Sequence, residues 1–273
     1  MEKIKNKQNS IESTTGSIGI MDSGVGGLTV LKQMLEICPN ENYLFFGDTK
    51  NLPYGEKSKE ELIKIAKKVF DFYKERDVKA VIMACNTTSA TVYEELKDDY
   101  DFIIYPLIQI VSKCMSMDKS LKRIAVMATQ ATVNSGKYKE ELQKNNPEIN
   151  VFEQACPLWV PVVEKKLTNY DEKQMITQYL NNVLDFNPQK IILGCTHYPY
   201  LLDKLAKYAP KDLFINPAKI FANYIKQDLK AKNLLCNGQI GNVEYFASAN
   251  PDEFKENAKL FFEIGKLPEL VSL

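Results

Sequence analysis

The chain has 273 residues, with 35 lysines and arginines against 35 aspartates and glutamates, and 45% of it is hydrophobic. A balanced charge leaves no field to hold nucleic acid or an anionic membrane, and no apolar stretch approaches the roughly 20 residues that span a bilayer. At this length the chain can bury a large core in one large domain or two smaller ones. Residues 1–17 are polar, carry Lys3, Lys5 and Lys7 and lack an apolar h-region, so they read as a flexible tail rather than a signal peptide. That points to a cytoplasmic protein. Apolar runs then predict strands at 18–22, 43–47, 80–84, 102–105, 123–128, 151–154, 190–194 and 213–215, with helical periodicity between them, as at 28–37, 59–76 and 172–184. A late apolar run at 243–248 and a helical stretch at 251–264 return to complete the first half.

Strand–helix alternation implies parallel sheets with right-handed crossovers. The eight strands divide into two groups of four, giving an α/β architecture of two similar domains facing across a central cleft. The divisions expected are 18–105 plus 218–273 for the first domain and 106–217 for the second. A single eight-stranded barrel is the competing architecture, since it also collects strand ends at one face.

Six cysteines lie tens of residues apart without a Cys-x-x-Cys pair, so neither zinc nor a disulfide framework is expected. Cys38, Cys114 and Cys236 read as small buried hydrophobes. Cys85 and Cys195 differ, because each ends the third strand of its group, where α/β folds place ligands. Two thiols facing one small molecule from opposite sides suit removal of a proton from one face of a carbon and its return to the other.

Five segments carry candidate partners for those thiols. Asp22-Ser23-Gly24-Val25-Gly26-Gly27-Leu28-Thr29 follows the first strand; its spacing fits neither a dinucleotide fingerprint nor a Walker loop, and a small carboxylate is the better guest. The plain alternative is that Asp22 or Ser23 only caps the helix beginning near Leu28. Asn86 and Thr87 follow Cys85 and offer donors and acceptors, the plain alternative being a buried cysteine with an Asn/Thr helix cap. His197, the single histidine, stands two residues after Cys195 and can serve as an acid or tune the thiol. Tyr54 and Gly55 lie in a Pro/Gly turn after the second strand, and Glu164 lies at the end of an apolar segment. Glu164 is either a carboxyl with a raised pKa, able to act as an acid, or a solvated glutamate.

These motifs, in this order, resemble the bacterial glutamate racemases within the aspartate/glutamate racemase superfamily, and the resemblance runs from Ile18 to the C-terminal helix. It rests on Asp22-Ser23-Gly24-x-Gly26-Gly27, Pro53-Tyr54-Gly55, Ala84-Cys85-Asn86-Thr87, Thr132-Val133-x-Ser135, Cys156-Pro157 through Glu164, and Gly194-Cys195-Thr196-His197-Tyr198-Pro199. It implies two flavodoxin-like domains and racemisation of glutamate without a cofactor, supplying D-glutamate for peptidoglycan and cell shape, in a homodimer. Residue by residue, Cys85 and Cys195 match the two proton donor/acceptors, Cys85 serving the D isomer and Cys195 the L isomer. Asp22 matches the group assisting the first thiol, Glu164 and His197 those assisting the second. Asp22, Ser23, Tyr54, Gly55, Asn86, Thr87, Thr196 and His197 match substrate-binding positions, with Thr129 and Thr132 as further contacts to the side-chain carboxylate. Trp159, Tyr200, Ala128 and Ala131 depart from the usual residues of the family and leave the catalytic set intact. Racemisation of aspartate by the same machinery and a non-catalytic member of the fold are the alternatives.

Overall fold

A computed structural model describes residues 16–273. The expected tail therefore falls almost wholly outside the described residues. Ten strands form: β1 (Ile18–Asp22), β2 (Tyr43–Gly47), β3 (Ala80–Met83), β4 (Ile103–Pro106), β5 (Arg123–Ala128), β6 (Asn150–Ala155), β7 (Lys190–Gly194), β8 (Phe214–Ile215), β9 (Val243–Ala247) and β10 (Glu269–Leu270). They make two open sheets, ordered β10-β9-β2-β1-β3-β4 and β6-β5-β7-β8. Every pairing is parallel. A closed barrel is thereby ruled out.

The pseudo-symmetry lies in the strand order. Strands β1 to β4 run second–first–third–fourth, and β5 to β8 repeat that order. The late strand β9 joins β2 and so returns the chain to the first sheet. Strand β10, with two exposed residues, had no apolar signature to announce it. Central strands such as β1 and β2 are buried on both faces, which explains their continuous apolar runs.

Helices fill the space between the sheets and cover their outer faces. Leu28–Ile37, Leu107–Ser116, Lys137–Asn145 and Pro217–Ala231 pack together and share one core with both sheets. Lys59–Lys74 covers the outer face of the first sheet, burying Leu62, Ala66, Val69, Phe70 and Tyr73 at helical spacing. Its start is fixed by Ser58 and Glu61, which bond each other's backbone N–H in a capping box. Glu172–Asp185 covers the second sheet and begins where the Asp171 carboxylate accepts from the Gln174 N–H. Each fully buried Ile or Phe in these layers contributes about 1.5–3 kcal/mol.

In both sheets the order reverses between the first and third strands, where loops to either side leave a crevice at the carboxyl ends. Asp22 and Cys85 emerge there from β1 and β3, and Thr129 and Cys195 from β5 and β7. Among the described residues no helix is long and apolar enough to cross a membrane.

Candidate active site

The loop after β1 reaches the second half of the molecule. The Thr29 hydroxyl donates to the Thr196 carbonyl at 2.8 Å. Gly26 lies so close to the same loop that a Cβ there would stand 2.3 Å from Thr196 Oγ1 and 2.5 Å from His197 Cε1. Only glycine permits this approach. The helix Leu28–Ile37 begins with no side-chain cap, so capping does not account for Asp22 or Ser23. Asp22 is instead buried, and its Oδ2 accepts from the Gly24 N–H at 3.1 Å, while Oδ1 has no partner among the described residues. Burial raises the Asp22 pKa to about 6, against the His197 charge and the Gly24 and Gly27 amides, which pull it down.

Cys85 occupies the position just before the helix Asn86–Thr91, and it is 7% exposed. Burial, reinforced by the Asp22 carboxylate, pushes its thiol up to about 11, while Thr88 and Ser23 act the other way. Asn86 Oδ1 accepts from the Tyr138 hydroxyl at 2.8 Å, which ties the first half to the second. Tyr138 also lies against Gly194 and within electrostatic reach of Cys195.

Cys195 is likewise 7% exposed, but its neighbour is an imidazole. His197 Nδ1 lies 3.8 Å from Cys195 Sγ, and His197 Nε2 lies 3.0 Å from Glu164 Oε1. Glu164 Oε2 pairs in turn with Lys166 Nζ at 2.6 Å. Burial works against a charged imidazole here, yet Cys195 and Glu164 together hold the His197 pKa well above the ordinary histidine value. Burial would also raise Glu164, and His197 and Lys166 overcome it, so its pKa falls. Glu164 thus matches neither of the two readings open in the sequence: it is largely buried rather than solvated, and His197 and Lys166 lower its pKa rather than leaving it raised. It reaches the thiol only through His197.

The alignment of that chain has a visible cause. Trp159, fully buried, packs edge-on against Tyr198 with ring centroids 4.9 Å apart, and its indole N–H donates to the Met175 carbonyl. This fixes the short helix Trp159–Val163, which ends at Glu164, against the turn that follows His197. Phe261 packs edge-on to the His197 ring at 5.2 Å and keeps that side dry.

Thr129, Thr132, Tyr54 and Gly55 stand on elements that pack against the helix following Cys85. Thr129 caps the helix Gln130–Ser135, and its hydroxyl lies 3.0 Å from that of Thr132. That helix packs on Asn86–Thr91 and on the Tyr54–Glu56 turn, where Gly55 faces Ala131. Tyr54 is buried, and its hydroxyl donates to Asp48 Oδ2 at 2.7 Å rather than pointing freely at the cleft. Asn86, Cys195 and Thr196 line a space of about 10 Å³ between the halves, and a cavity of about 170 Å³ opens beside Glu164, Gly24 and Leu52. Among the described residues no three His, Cys, Asp or Glu side chains are gathered as metal ligands. Tyr138, Asp48, Ser248 and Thr88 are site-adjacent groups that the sequence did not single out; the Ser248 hydroxyl holds the other oxygen of Asp48.

Two buried thiols thus stand at matching strand ends of two parallel α/β sheets, each with an ionisable neighbour. Comparison with known proteins identifies the family. The profile of the Asp/Glu/hydantoin racemase family matches residues 18–225. Glutamate racemase 2 of Caldanaerobacter subterraneus subsp. tengcongensis is 37% identical over 250 residues, covering 89% of this chain and 92% of the relative. The glutamate racemase of Thermoanaerobacter sp. strain X514 is 38% identical over 246 residues, with 89% and 92% covered. The crystal structure of Francisella tularensis glutamate racemase in complex with D-glutamate superposes with a TM-score of 0.86 at 31% identity, over 95% of this chain and 98% of that one. The chain belongs to the Asp/Glu/hydantoin racemase family, among its glutamate racemases, and is an amino-acid isomerase.

Proposed function

We propose that the protein interconverts L- and D-glutamate by a two-base mechanism in which Cys85 and Cys195 exchange protons with opposite faces of the α-carbon. The observation that carries this reading is the equivalence of the two thiols: both are buried at the ends of topologically matching strands, β3 and β7. The Cα–H beside a carboxylate is a very weak acid, so the developing negative charge needs fixed donors in a dry site. Asn86, Thr87 and Thr196 are buried and supply such donors, and Ser23 stands beside Asp22.

The attendants divide the work. Protonated His197, steadied by Glu164, supplies a proton to Cys195 or stabilises its thiolate. Asp22, whose pKa of about 6 lets it hold or release a proton near neutrality, serves Cys85. One thiolate takes the α-proton while the facing thiol delivers its own, so the net proton count is unchanged and configuration inverts. The side-chain carboxylate is received by Thr129 and Thr132, which makes the length of the cleft the discriminator between glutamate and aspartate. The reading extends to a cytoplasmic homodimer supplying D-glutamate to peptidoglycan synthesis, the dimer being open to test by light scattering. The test of mechanism is replacement of each cysteine by serine: Cys85→Ser and Cys195→Ser each abolish racemisation in both directions, and near-normal turnover by either variant contradicts the scheme.

A further inference from the structure

Thr88 has a hydroxyl without an assigned task. It is 1% exposed, and its Oγ1 is buried with no hydrogen-bond partner among the described residues. A threonine inside a helix ordinarily bonds the carbonyl four residues back. Thr91 in the same helix does so, donating to Thr87 O at 2.8 Å, and Ser89 donates to Gln109 Oε1 at 2.8 Å. The position of Thr88 explains why it differs. Cys85 is the residue that precedes the helix Asn86–Thr91, and Thr88 is the third residue within it. A side chain at the preceding position leans over the third residue's amide. Neither the Thr88 N–H nor its hydroxyl bonds the sulfur of the resting thiol, yet both stand close enough to favour a thiolate there, as does the Ser23 hydroxyl from the β1 loop.

The ionisable groups around Cys85 make such donors necessary. Asp22 and Tyr54 are the groups facing it, and neither is a cation. His197 and Glu164 act on Asp22 from the second half. Cys195 has an imidazole 3.8 Å away, whereas Cys85 has, among the described residues, only neutral donors against burial and a nearby carboxyl.

We propose that Thr88 is a positioning residue for Cys85, its otherwise unused hydroxyl donating to the sulfur whenever that sulfur is a thiolate. The proposal rests on the reading of Cys85 as a proton-transfer group, but its first test does not depend on turnover. Alkylation of Cys85 and Cys195 by iodoacetamide is followed by peptide mass spectrometry at a fixed pH below the titration of Cys85, in the wild type, Thr88→Val and Thr88→Ser. A hydrogen bond to a charged group is worth one to two pKa units, so Thr88→Val slows Cys85 alkylation by roughly ten- to a hundredfold. Thr88→Ser keeps most of the wild-type rate, and Cys195 is unaffected in both. Thermal melts check folding, and Thr88→Ala stands in should the valine variant unfold.

In turnover, Thr88→Val enlarges the primary isotope effect with α-deuterated D-glutamate more than with the L isomer. Equal Cys85 alkylation in the wild type and Thr88→Val overturns the proposal even in an active racemase. A slowed Cys85 in a protein that does not racemise glutamate sustains the role of Thr88 and overturns the catalytic reading instead.

Discussion

His197 Nδ1 lies 3.8 Å from the sulfur of Cys195, and among the described residues no comparable group attends Cys85, whose ionisable neighbour is the buried Asp22. The two thiols therefore sit in electrostatically opposite surroundings at the ends of equivalent strands. Enantiomers have equal free energy in solution, so kcat/KM stays equal in the two directions for any variant. Asymmetry between the thiols has to be sought in isotope effects and in kcat and KM separately.

Replacing His197 with asparagine removes the cation beside Cys195. Loss of a positioned acid–base group costs about 10²–10⁴ in rate. The primary isotope effect should grow with α-deuterated L-glutamate and stay near the wild-type value with the D isomer. An equal change for both isomers assigns His197 to binding.

The Glu164–His197 pair gives a pH signature. The Glu164 pKa is lowered from 4.5, so its contribution to stability is present above that value and is lost as the pH falls below it. The His197 pKa is raised from 6.5, so its contribution is complete below that value and fades as the pH rises beyond it. The stability gap between the wild type and Glu164→Gln should thus be widest between 4.5 and 6.5 and narrow on both sides. In activity, Glu164→Gln should move the alkaline limb of kcat/KM to lower pH. A limb that stays in place means that Glu164 does not set the charge of His197.

Asp22 works in the opposite sense. Its folded pKa of about 6 against 3.8 unfolded means that ionising it in place costs stability as the pH rises through that window. At about 1.4 kcal/mol per unit the cost reaches about 3 kcal/mol above it. Asp22→Asn should therefore melt higher than the wild type at neutral pH while racemising far more slowly. Equal melting of the two proteins across the window removes the argument that burial raised this carboxyl.

How much of this was legible in the sequence follows from how local each signal is. Strands β1, β2, β5 and β7 are runs buried along nearly their whole length, and their bounds match the apolar patterns. The cysteine and histidine positions stand out for the same reason, as polar residues placed at the ends of such runs. Strand β10 is two exposed residues and has no pattern at all. Glu164 carried two readings, a raised-pKa acid and a solvated carboxylate, and fits neither, because it is largely buried and its neighbours Lys166 and His197 lower its pKa, the second from 33 residues away. Tyr138 and Asn86 meet across 52 residues of chain, so nothing in either segment announces the bond.

That last contact is testable in its own right. Tyr138→Phe leaves Asn86 Oδ1 buried without its donor, at a cost of about 1–3 kcal/mol. Freed of that bond, the Asn86 amide can turn, so KM for glutamate should rise more than kcat falls. A fall in kcat alone, with KM unchanged, shows that Asn86 is held by other means.

Gly26 joins the halves by its lack of a side chain. A methyl group at 2.3 Å from Thr196 Oγ1 forces the β1 loop away from Cys195 and His197. Gly26→Ala should lose most of its activity at a stability cost of about 1–3 kcal/mol, read by denaturant midpoint.

The central claim is proton exchange at both faces of one α-carbon without an added cofactor. The most direct measurement places the pure protein in heavy water with L-glutamate, and separately with D-glutamate, and follows circular dichroism together with proton NMR. Decay of the optical signal to zero from either side, with deuterium entering Cα of the product, is the predicted result. An unchanged signal and an intact Cα–H with both isomers would contradict the account, and exchange with aspartate but not glutamate would contradict its substrate.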